Sequence, residues 1–577
     1  MKHKKKQEFT SRHKETSERF SRIKNTLFST PIYLCPERAL LVTEHFKKFD
    51  NADEPMLIRK AKAFRYLMQN KSAKIFDDEL IAGNFGAHRK SALIQPELAG
   101  VFMCEDILWI NKRKTTPFKM SWADRFKVIF KVIPFWMFRN MPLRALMPGL
   151  KNMLRYLIEQ LNATYYLINE AGGIGHFLPN YEKIINLGVK GYLEGAERKD
   201  GDFYEAARIA CEGIIDFSSR LALEAEQQAK IEDSYRADEL REIARICRKV
   251  PNEPAETFHE AIQSLWLSHM GVCLEGLNSA VSFGRIDQYL YPFYEKDIKN
   301  GRTTPEKAKE LLLCFSAKTT EHVFLLSERS SKYHGGFLVA QAAIVGGIDR
   351  QGNDSVNDLS YLFLDVMEES GLREPNYQVR ISKKTSDAFI DRAVEVALKG
   401  LGVPAFFNDE VTISALERHG YPLEDARDYG IVGCVEPSIQ GKSFLSTDAS
   451  LFNLPICLEL ALNKGKRLND RKRIGAATID AESITDMDHV MTVFKEQVVY
   501  MVDRLIKDIQ IIEKGNRDFH PTPFSSMLVD GCLESGIDVT AGGAQFNGSG
   551  IQGVGVADTA DSLAAIDTVL MQNRDCS

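Results

Sequence analysis

The stretch that decides the fold is DYGIVGCVEP, residues 428–437. It places the thiol of Cys434 directly after Gly433 and two residues before the carboxylate of Glu436. Glycine permits backbone angles and close approaches that other residues resist, so this stretch is predicted to make a tight turn. Side chains two residues apart in an extended segment point the same way, so the thiol and the carboxylate are predicted to reach one small substrate. Pro437 is predicted to prevent continuation into a strand ladder.

The same residues also admit a plainer interpretation. Free cysteine is among the most buried residue types, so Cys434 would then be a core residue beside a solvated Glu436. Composition alone does not decide between a catalytic thiol and a packing thiol.

Four further stretches surround the first one along the chain. They are GH at 175–176 followed by YEK at 181–183, SFGRIDQY at 282–289, VPAFFNDE at 403–410 and QFNGSGIQGVG at 545–555. These four stretches and the GCVEP loop occur in the same order in the glycyl radical enzymes, which the sequence therefore resembles. The resemblance is to the branch that contains the diol dehydratases, choline lyase and hydroxyproline dehydratase. The resemblance extends to the last residues of the chain.

The resemblance implies an α/β fold, a ten-stranded barrel of two five-stranded half-barrels around the cysteine loop, with helices outside it. Alternating helices and short β-rich runs between residues 300 and 420 agree with that class. We therefore expect residues 1–577 to form one large pyruvate formate-lyase-like catalytic domain.

The resemblance also implies roles for the residues of the loop. A thiyl radical on Cys434 would abstract a hydrogen atom from a substrate carbon, and Glu436 would accept the proton of a neighbouring hydroxyl. His176 and Asp448 match pocket residues that would orient or protonate the departing group. From the residues alone, a loop histidine is more often structural, and Asp448 would equally serve as a helix N-cap.

Three more residues belong to the predicted pocket. Ser282 aligns with a substrate-binding serine of the diol dehydratases, although a serine in such a turn usually bonds backbone. Glu275 and Asn278 lie close by in sequence and are possible substrate ligands for a hydroxyl or an ammonium group.

One departure from the family pattern concerns the radical itself. Family members carry a C-terminal radical domain with a motif like Arg-Val-Ala-Gly-Tyr, and that motif does not occur in the 577 residues. We therefore expect a split enzyme, in which a small separate glycyl-radical-domain protein supplies the radical glycine. A radical S-adenosylmethionine activating enzyme with a [4Fe-4S] cluster would install it, and this chain would bind no cofactor or metal. The alternatives are an inactive interaction or regulatory paralogue and a truncated chain.

The acid–base set of Glu436, His176 and Asp448 points to elimination. Cys434 has no cysteine neighbour, unlike the loop of pyruvate formate-lyase, which carries two adjacent cysteines. Loss of water from a small diol or hydroxylated substrate is the preferred reaction, and C–N or C–S cleavage is the alternative. Val281 and the bulky pair at 444–445 favour a larger or less polar substrate. A cysteine-nucleophile hydrolase is disfavoured, because a nearby carboxylate opposes thiolate formation.

Composition limits the class of protein. Hydrophobic residues at 44% and charged residues at 27% are ordinary globular values, and a net charge of −5 gives no basic surface for nucleic acid. Ten scattered cysteines without a Cys-x-x-Cys pair predict neither zinc nor disulfide scaffolding, and indicate a reducing cytoplasm. No apolar segment follows the lysine-rich start, so no signal peptide is predicted.

The most apolar stretch, residues 128–142, is interrupted by Lys131, Arg139 and two prolines, and is predicted to pack in the core rather than span a membrane. Helices are predicted at 36–44, 58–68, 203–232 and 237–248, a strand and turn at 77–86, β-rich runs at 337–347 and 377–381, and a helix after 446–453. A homo- or hetero-oligomer is expected.

Overall fold

The computed structural model describes residues 17–167, 175–196, 199–276, 279–332, 336, 339–478 and 483–568. The helices are α1 (Glu18–Ser29), α2 (Glu37–Lys48), α3 (Met56–Asn70), α4 (Trp122–Lys127), α5 (Ile133–Trp136), α6 (Met141–Leu146), α7 (Leu150–Asn162), α8 (Tyr181–Ala196), α9 (Asp202–Gln228), α10 (Ser234–Lys249), α11 (Phe258–Glu275), α12 (Ile286–Tyr289), α13 (Tyr291–Lys299), α14 (Pro305–Glu321), α15 (Asp358–Ser370), α16 (Asp387–Ala397), α17 (Asp409–Arg418), α18 (Leu423–Arg427), α19 (Leu454–Leu462), α20 (Met487–Phe519), α21 (Pro523–Met527), α22 (Cys532–Ser535) and α23 (Val556–Ala565).

The strands are short. They are β1 (Tyr33–Cys35), β2 (Ser91–Leu93), β3 (Tyr165–Tyr166), β4 (His322–Val323), β5 (Ala342–Gly346), β6 (Asn376–Ile381), β7 (Ala405–Asn408), β8 (Tyr429–Val432), β9 (Glu436–Ile439), β10 (Ser443–Phe444), β11 (Ser450–Asn453), β12 (Phe546–Asn547) and β13 (Ile551–Val554). Backbone hydrogen bonds join the described strands into sheets of two or three strands, so the strand pairing alone does not define a closed barrel.

The chain divides into two compact units, each built from three segments. The first holds residues 1–137, 175–445 and 520–547, and the second holds 138–174, 446–519 and 548–577. The thiol loop lies in the first unit, and Asp448 lies in the second.

Helix α11 runs through the core of the first unit. The hydroxyl of Thr257 accepts a hydrogen bond from Glu260 N at its start, and every residue of the helix except His259 is buried. A helix that is apolar all round must be covered on every face. Around it lie amphipathic helices such as α9, which buries Ile214, Phe217 and Leu221 at helical spacing.

Two sheets of the first unit position the predicted site. Strands β5, β6 and β7 form a parallel sheet in that order, with Val345 opposite Val379 and Val379 opposite Phe406. Strands β8 and β9 form an antiparallel hairpin, in which Val432 lies opposite Glu436. Parallel strands are usually covered on both faces, which agrees with the complete burial of β5.

The second unit has its own core. Buried Tyr165, Phe452, Leu460, Met501 and Leu505 pack together in it. Strand β11 lies between β13, to which it is parallel, and β3, to which it is antiparallel. The long helix α20 supplies part of this core.

Several local predictions are confirmed. Helices α2, α3 and α10 match the segments predicted to be helical, and α9 covers residues 203–228 of the helix predicted at 203–232. Strand β5 lies in the first predicted β-rich run, and β6 covers the second. The described part contains no helix long and apolar enough to cross a membrane.

Other local predictions are wrong. Residues 77–86 form turns without a strand, and the nearby strand is β2. Pro437 lies inside β9, opposite Ile431, because a two-stranded sheet has only edge strands and these tolerate a missing N–H. Asp448 precedes a strand, and the N-cap of α19 is Asn453, whose side chain accepts from Ile456 N at 3.3 Å.

The apolar stretch at 128–142 is only partly core. Val128, Val132 and Trp136 are buried, whereas Phe130 is 70% exposed and Phe138 likewise. The helical period divides the stretch into a covered face and an open face.

Candidate active site

The loop of Cys434 is the tip of a β-hairpin, which we call the thiol hairpin, residues 429–439. Strands β8 and β9 pair antiparallel, and residues 433–435 form the turn that joins them. Gly433 has a φ of 59°, a left-handed conformation that glycine adopts at little cost. The tight turn predicted from the sequence is confirmed, but the thiol lies in the turn itself and not in an extended segment.

Apolar packing holds the base of the thiol hairpin. Tyr429, Ile431 and Ile439 are buried in one cluster with Ile344 of β5 and Leu416 of α17. Burial of this kind is worth roughly 1.5–3 kcal/mol for each large side chain. The hairpin is therefore anchored at its base while its tip projects.

Cys434 differs from the other cysteines that the structure describes, because it is exposed and they are buried. Burial raises the pKa of the other thiols, to about 12 for Cys247 and Cys314. Buried thiols of that kind are inert, since the thiolate is disfavoured and reactants cannot reach the sulfur. The packing interpretation of Cys434 is therefore wrong.

The carboxylate of Glu436 folds back over the same tip. Its Oε2 accepts hydrogen bonds from Cys434 N at 3.0 Å and from Val435 N at 2.7 Å. Hydrogen bonds from backbone N–H groups to a carboxylate are charge-assisted and stronger than neutral ones. The structure thus brings the predicted thiol and the predicted base together on one three-residue turn.

Ser282 lies against this turn with a fully buried side chain. Its Oγ accepts from Gly433 N at 3.0 Å and from Ala342 N at 3.1 Å, and donates to Ala280 O at 3.1 Å. A serine hydroxyl has one donor and two acceptor positions, so backbone groups use all three. Substrate binding by Ser282 stays a prediction, and the contacts show a serine that ties the turn to its neighbours.

His176 lies in a segment joined to that of Ser282. His176 N donates to Ser279 O at 2.9 Å, and Ser282 N donates to Phe177 O at 3.2 Å. His176 is buried and has a φ of 55°, which is uncommon for a residue other than glycine. Gly175 is required beside it, because a Cβ there would come within 2.2 Å of Ser279 O. The segments of His176, Ser282 and Cys434 therefore lie together.

Of the three remaining predicted residues, Asp448 and Glu275 are described and Asn278 is not. Asp448 is buried in the second unit, in a turn where Ala449 N donates to Ser446 O at 2.8 Å. Glu275 accepts from the backbone N–H groups of Phe524 and Ser525, both at 2.7 Å, and burial raises its pKa to about 7. These contacts cap the start of α21. Asn278 lies outside the described residues.

Phe444, one of the bulky residues predicted near the pocket, packs against another aromatic ring. Phe444 is buried, and its ring lies 5.4 Å from that of Phe177 in an edge-to-face arrangement. Val281 is also fully buried. Phe444 therefore packs against the residue that follows His176 in sequence.

Sequence reasoning missed two amide side chains of β6. Asn376 Nδ2 donates to Gly433 O at 2.9 Å, and Gln378 Nε2 donates to Cys434 O at 2.9 Å. Two amides spaced i, i+2 in a β-rich run share one face of a strand, and this spacing is a signal that the sequence carried.

A buried ion pair supports the base of the hairpin. Arg380 of β6 binds Asp409 through two hydrogen bonds of 2.8 and 3.0 Å, donates to Tyr429 O at 2.8 Å and lies 3.9 Å from the Tyr429 ring centroid. Burial alone would lower the pKa of Arg380, and the Asp409 carboxylate more than offsets it, so the pKa is raised. Within the described ranges, no group of three or more His, Cys, Asp or Glu side chains could hold a metal ion.

Comparison with known proteins shows the family of this chain. The family model described as pyruvate formate lyase-like matches residues 12–576. The chain is 34% identical to trans-4-hydroxy-L-proline dehydratase of Clostridioides difficile, over 96% of this chain and 71% of that protein.

Solved structures give the same picture. The B12-independent glycerol dehydratase of Clostridium butyricum superposes with a TM-score of 0.93 at 32% identity, over 98% of this chain and 73% of that one. A glycyl radical enzyme of Archaeoglobus fulgidus gives a TM-score of 0.91 at 35% identity, over 96% and 72%.

These relatives include dehydratases and a protein described as a glycyl radical enzyme. The chain belongs to the pyruvate formate lyase-like family and has the fold of its glycyl radical enzymes.

Proposed function

We propose that these residues form the catalytic part of a glycyl radical lyase that removes water from a small diol or other hydroxylated substrate. The observation that carries the proposal is the tip of the thiol hairpin, where the exposed Cys434 and the carboxylate of Glu436 share one turn. The dehydratases among its relatives support the reaction class.

In the proposed reaction, the sulfur radical of Cys434 takes a hydrogen atom from a hydroxyl-bearing carbon, which forms S–H and leaves the unpaired electron on that carbon. Glu436 accepts the proton of the hydroxyl, so the carbon radical becomes electron-rich. The C–O bond at the adjacent carbon then breaks, and the departing hydroxide takes a proton and leaves as water. The resulting radical recovers hydrogen from Cys434, which restores the sulfur radical and releases a carbonyl product.

His176 is assigned to the departing group, as its orienting and proton-donating residue, whereas Asp448 and Ser282 as substrate ligands stay predictions from the resemblance. Burial of His176 supports this assignment, because a group of fixed orientation is needed to direct the proton. Glu275 is not assigned a role, since its carboxylate caps α21.

A glycyl radical supplies the one-electron oxidant that takes the hydrogen atom from the thiol. We propose that this radical is installed by an S-adenosylmethionine-dependent [4Fe-4S] activating enzyme. The absence of an Arg-Val-Ala-Gly-Tyr-like motif from residues 1–577 supports a source outside these residues. Anaerobic conditions and a cytoplasmic location go with this proposal.

The test is an anaerobic turnover assay on the activated complex with glycerol, 1,2-propanediol and trans-4-hydroxy-L-proline, each analysed for dehydrated product. Amine-bearing and sulfonate-bearing hydroxylated compounds are assayed in parallel for released amine and sulfite. Release of amine or sulfite without dehydration would replace the dehydratase proposal with a C–N or C–S lyase. Activation without turnover of any compound in the panel would favour an inactive paralogue.

A further inference from the structure

Strand β6 presents a row of polar side chains to the thiol hairpin. Asn376 and Gln378 are two residues apart, so they lie on one face of the strand. Asn376 Nδ2 lies 2.9 Å from Gly433 O, and Gln378 Nε2 lies 2.9 Å from Cys434 O and 3.4 Å from Gly433 O. Both amides therefore donate to consecutive carbonyl groups at the tip of the hairpin.

The strand that carries these amides is a firm support. It is the central strand of the β5-β6-β7 sheet and pairs with a neighbour on each side. Its opposite face is buried through Tyr377 and Val379, and the Tyr377 hydroxyl lies 2.7 Å from Ser316 Oγ. The row of amides is thus fixed relative to the base of the hairpin.

The two carbonyl groups have a special relation to the thiol. The peptide plane before the Cα of Cys434 contains Gly433 O and Cys434 N, and the plane after it contains Cys434 O and Val435 N. The β6 amides hold the two oxygens, and Glu436 Oε2 holds the two N–H groups. Both flanking planes are therefore held at both edges, which fixes both backbone dihedral angles of Cys434.

We propose that Asn376 and Gln378 are positioning residues that, together with Glu436, fix the two peptide planes flanking Cys434 and so set the direction of its thiol. The catalytic use of that direction rests on the proposed function above. The amides neither gain nor lose a proton, so they keep holding the turn when Glu436 takes a proton and becomes a weaker acceptor. A misplacement of about 1 Å at a reacting atom can cost roughly a hundredfold in rate.

The experiment measures the alkylation rate of Cys434 by iodoacetamide in the chain without activation. The tryptic peptide of residues 428–442 contains this cysteine alone, so mass spectrometry reports it separately. Gln378→Leu and Gln378→Met both remove the donated hydrogen bond without adding a charge beside the thiol. We expect each to accelerate alkylation about fivefold, the factor that about 1 kcal/mol produces at 1.4 kcal/mol per tenfold.

The matched control is Tyr377→Phe, which removes one buried hydrogen bond from the same strand on the opposite face. Its alkylation rate should stay within about twofold of the wild-type rate, because one bond of about 1 kcal/mol is lost away from the turn. Equal rates in the wild type and both Gln378 variants would overturn the proposal, and so would equal acceleration in Tyr377→Phe. If the Gln378 variants do not fold, Asn376→Leu at a half-buried position gives the same comparison.

Turnover gives a second readout that a merely structural role would not produce. In the activated complex, Gln378→Leu should lower kcat about tenfold or more and leave KM within about twofold, because direction of the thiol affects chemistry and not binding. A raised KM with unchanged kcat would contradict the positioning role. Alkylation needs no radical, so failure of the proposed function and failure of this inference are distinguishable.

Discussion

Replacing Ser282 with alanine tests how the thiol hairpin is held. The substitution removes one oxygen atom, which accepts from Gly433 N at 3.0 Å and Ala342 N at 3.1 Å. Both N–H groups then lose their partner in a region where Ser282, Ala342 and Gly433 are buried. A buried donor left without a partner costs about 1–3 kcal/mol, so two such donors predict a loss of about 3 kcal/mol in the free energy of unfolding.

The assay is urea-induced unfolding followed by circular dichroism, with Ser264→Ala as the matched control. Ser264 is also fully buried, and its Oγ has no hydrogen-bond partner among the described residues. Its removal should therefore leave the free energy of unfolding unchanged or slightly raised. If Ser282→Ala unfolds at the same midpoint as Ser264→Ala, the hydroxyl does not hold the turn. A raised KM at unchanged stability would instead establish Ser282 as a substrate ligand.

Three further predictions concern charged groups. Arg380→Met removes the cation that pairs with Asp409 inside the core, so it should cost about 3–5 kcal/mol of unfolding free energy in urea. A loss below about 1 kcal/mol would refute the idea that this ion pair supports the hairpin. Burial, reinforced by the charge of Lys60, lowers the pKa of His520 from 6.5 to about 4, so its contribution to the free energy of unfolding is complete above pH 6.5 and is lost as the pH falls toward 4. Between pH 6.5 and 4, the free energy of unfolding of His520→Gln should therefore fall by about 3 kcal/mol less than that of the wild type. Parallel profiles of unfolding free energy against pH would contradict this prediction. Glu436→Gln keeps a hydrogen-bond acceptor for the turn but cannot act as a base. Amide hydrogen exchange at residues 429–439 should therefore be unchanged, while turnover falls by about a hundredfold or more. Turnover at the wild-type rate would show that Glu436 is not the base.

The parts of the fold that could be predicted from the sequence are those that depend on local pattern. Helices such as α9 and α10 follow from the helical spacing of apolar residues. The resemblance located the loop of Cys434 and Glu436, because those residues are adjacent in sequence. The hairpin itself was not foreseen, since the pairing of Pro437 with Ile431 depends on the loop being a two-stranded edge sheet.

The support of the site could not be predicted, because it comes from residues distant in sequence. Gln378 is 56 positions from Cys434, and Ser282 is 151 positions from Gly433. In the sequence, Gln378 and Ser282 look like ordinary strand and turn residues. Only the fold brings their amide and hydroxyl groups to the backbone groups of the Cys434 turn. For the same reason Glu275 is only a possible substrate ligand in the sequence, whereas in the structure its carboxylate accepts from Phe524 N and Ser525 N and caps a helix far along the chain.

The measurement that tests the account most directly is electron paramagnetic resonance combined with product analysis on the activated complex. The complex contains this chain, the polypeptide that bears the radical glycine and the activating enzyme. It is prepared under anaerobic conditions with either the wild-type chain or the Cys434→Ser variant. We predict a glycyl radical signal in both complexes and dehydrated product from the wild type alone. Product from the Cys434→Ser complex, or product from the wild type without any glycyl radical signal, would contradict the central claim.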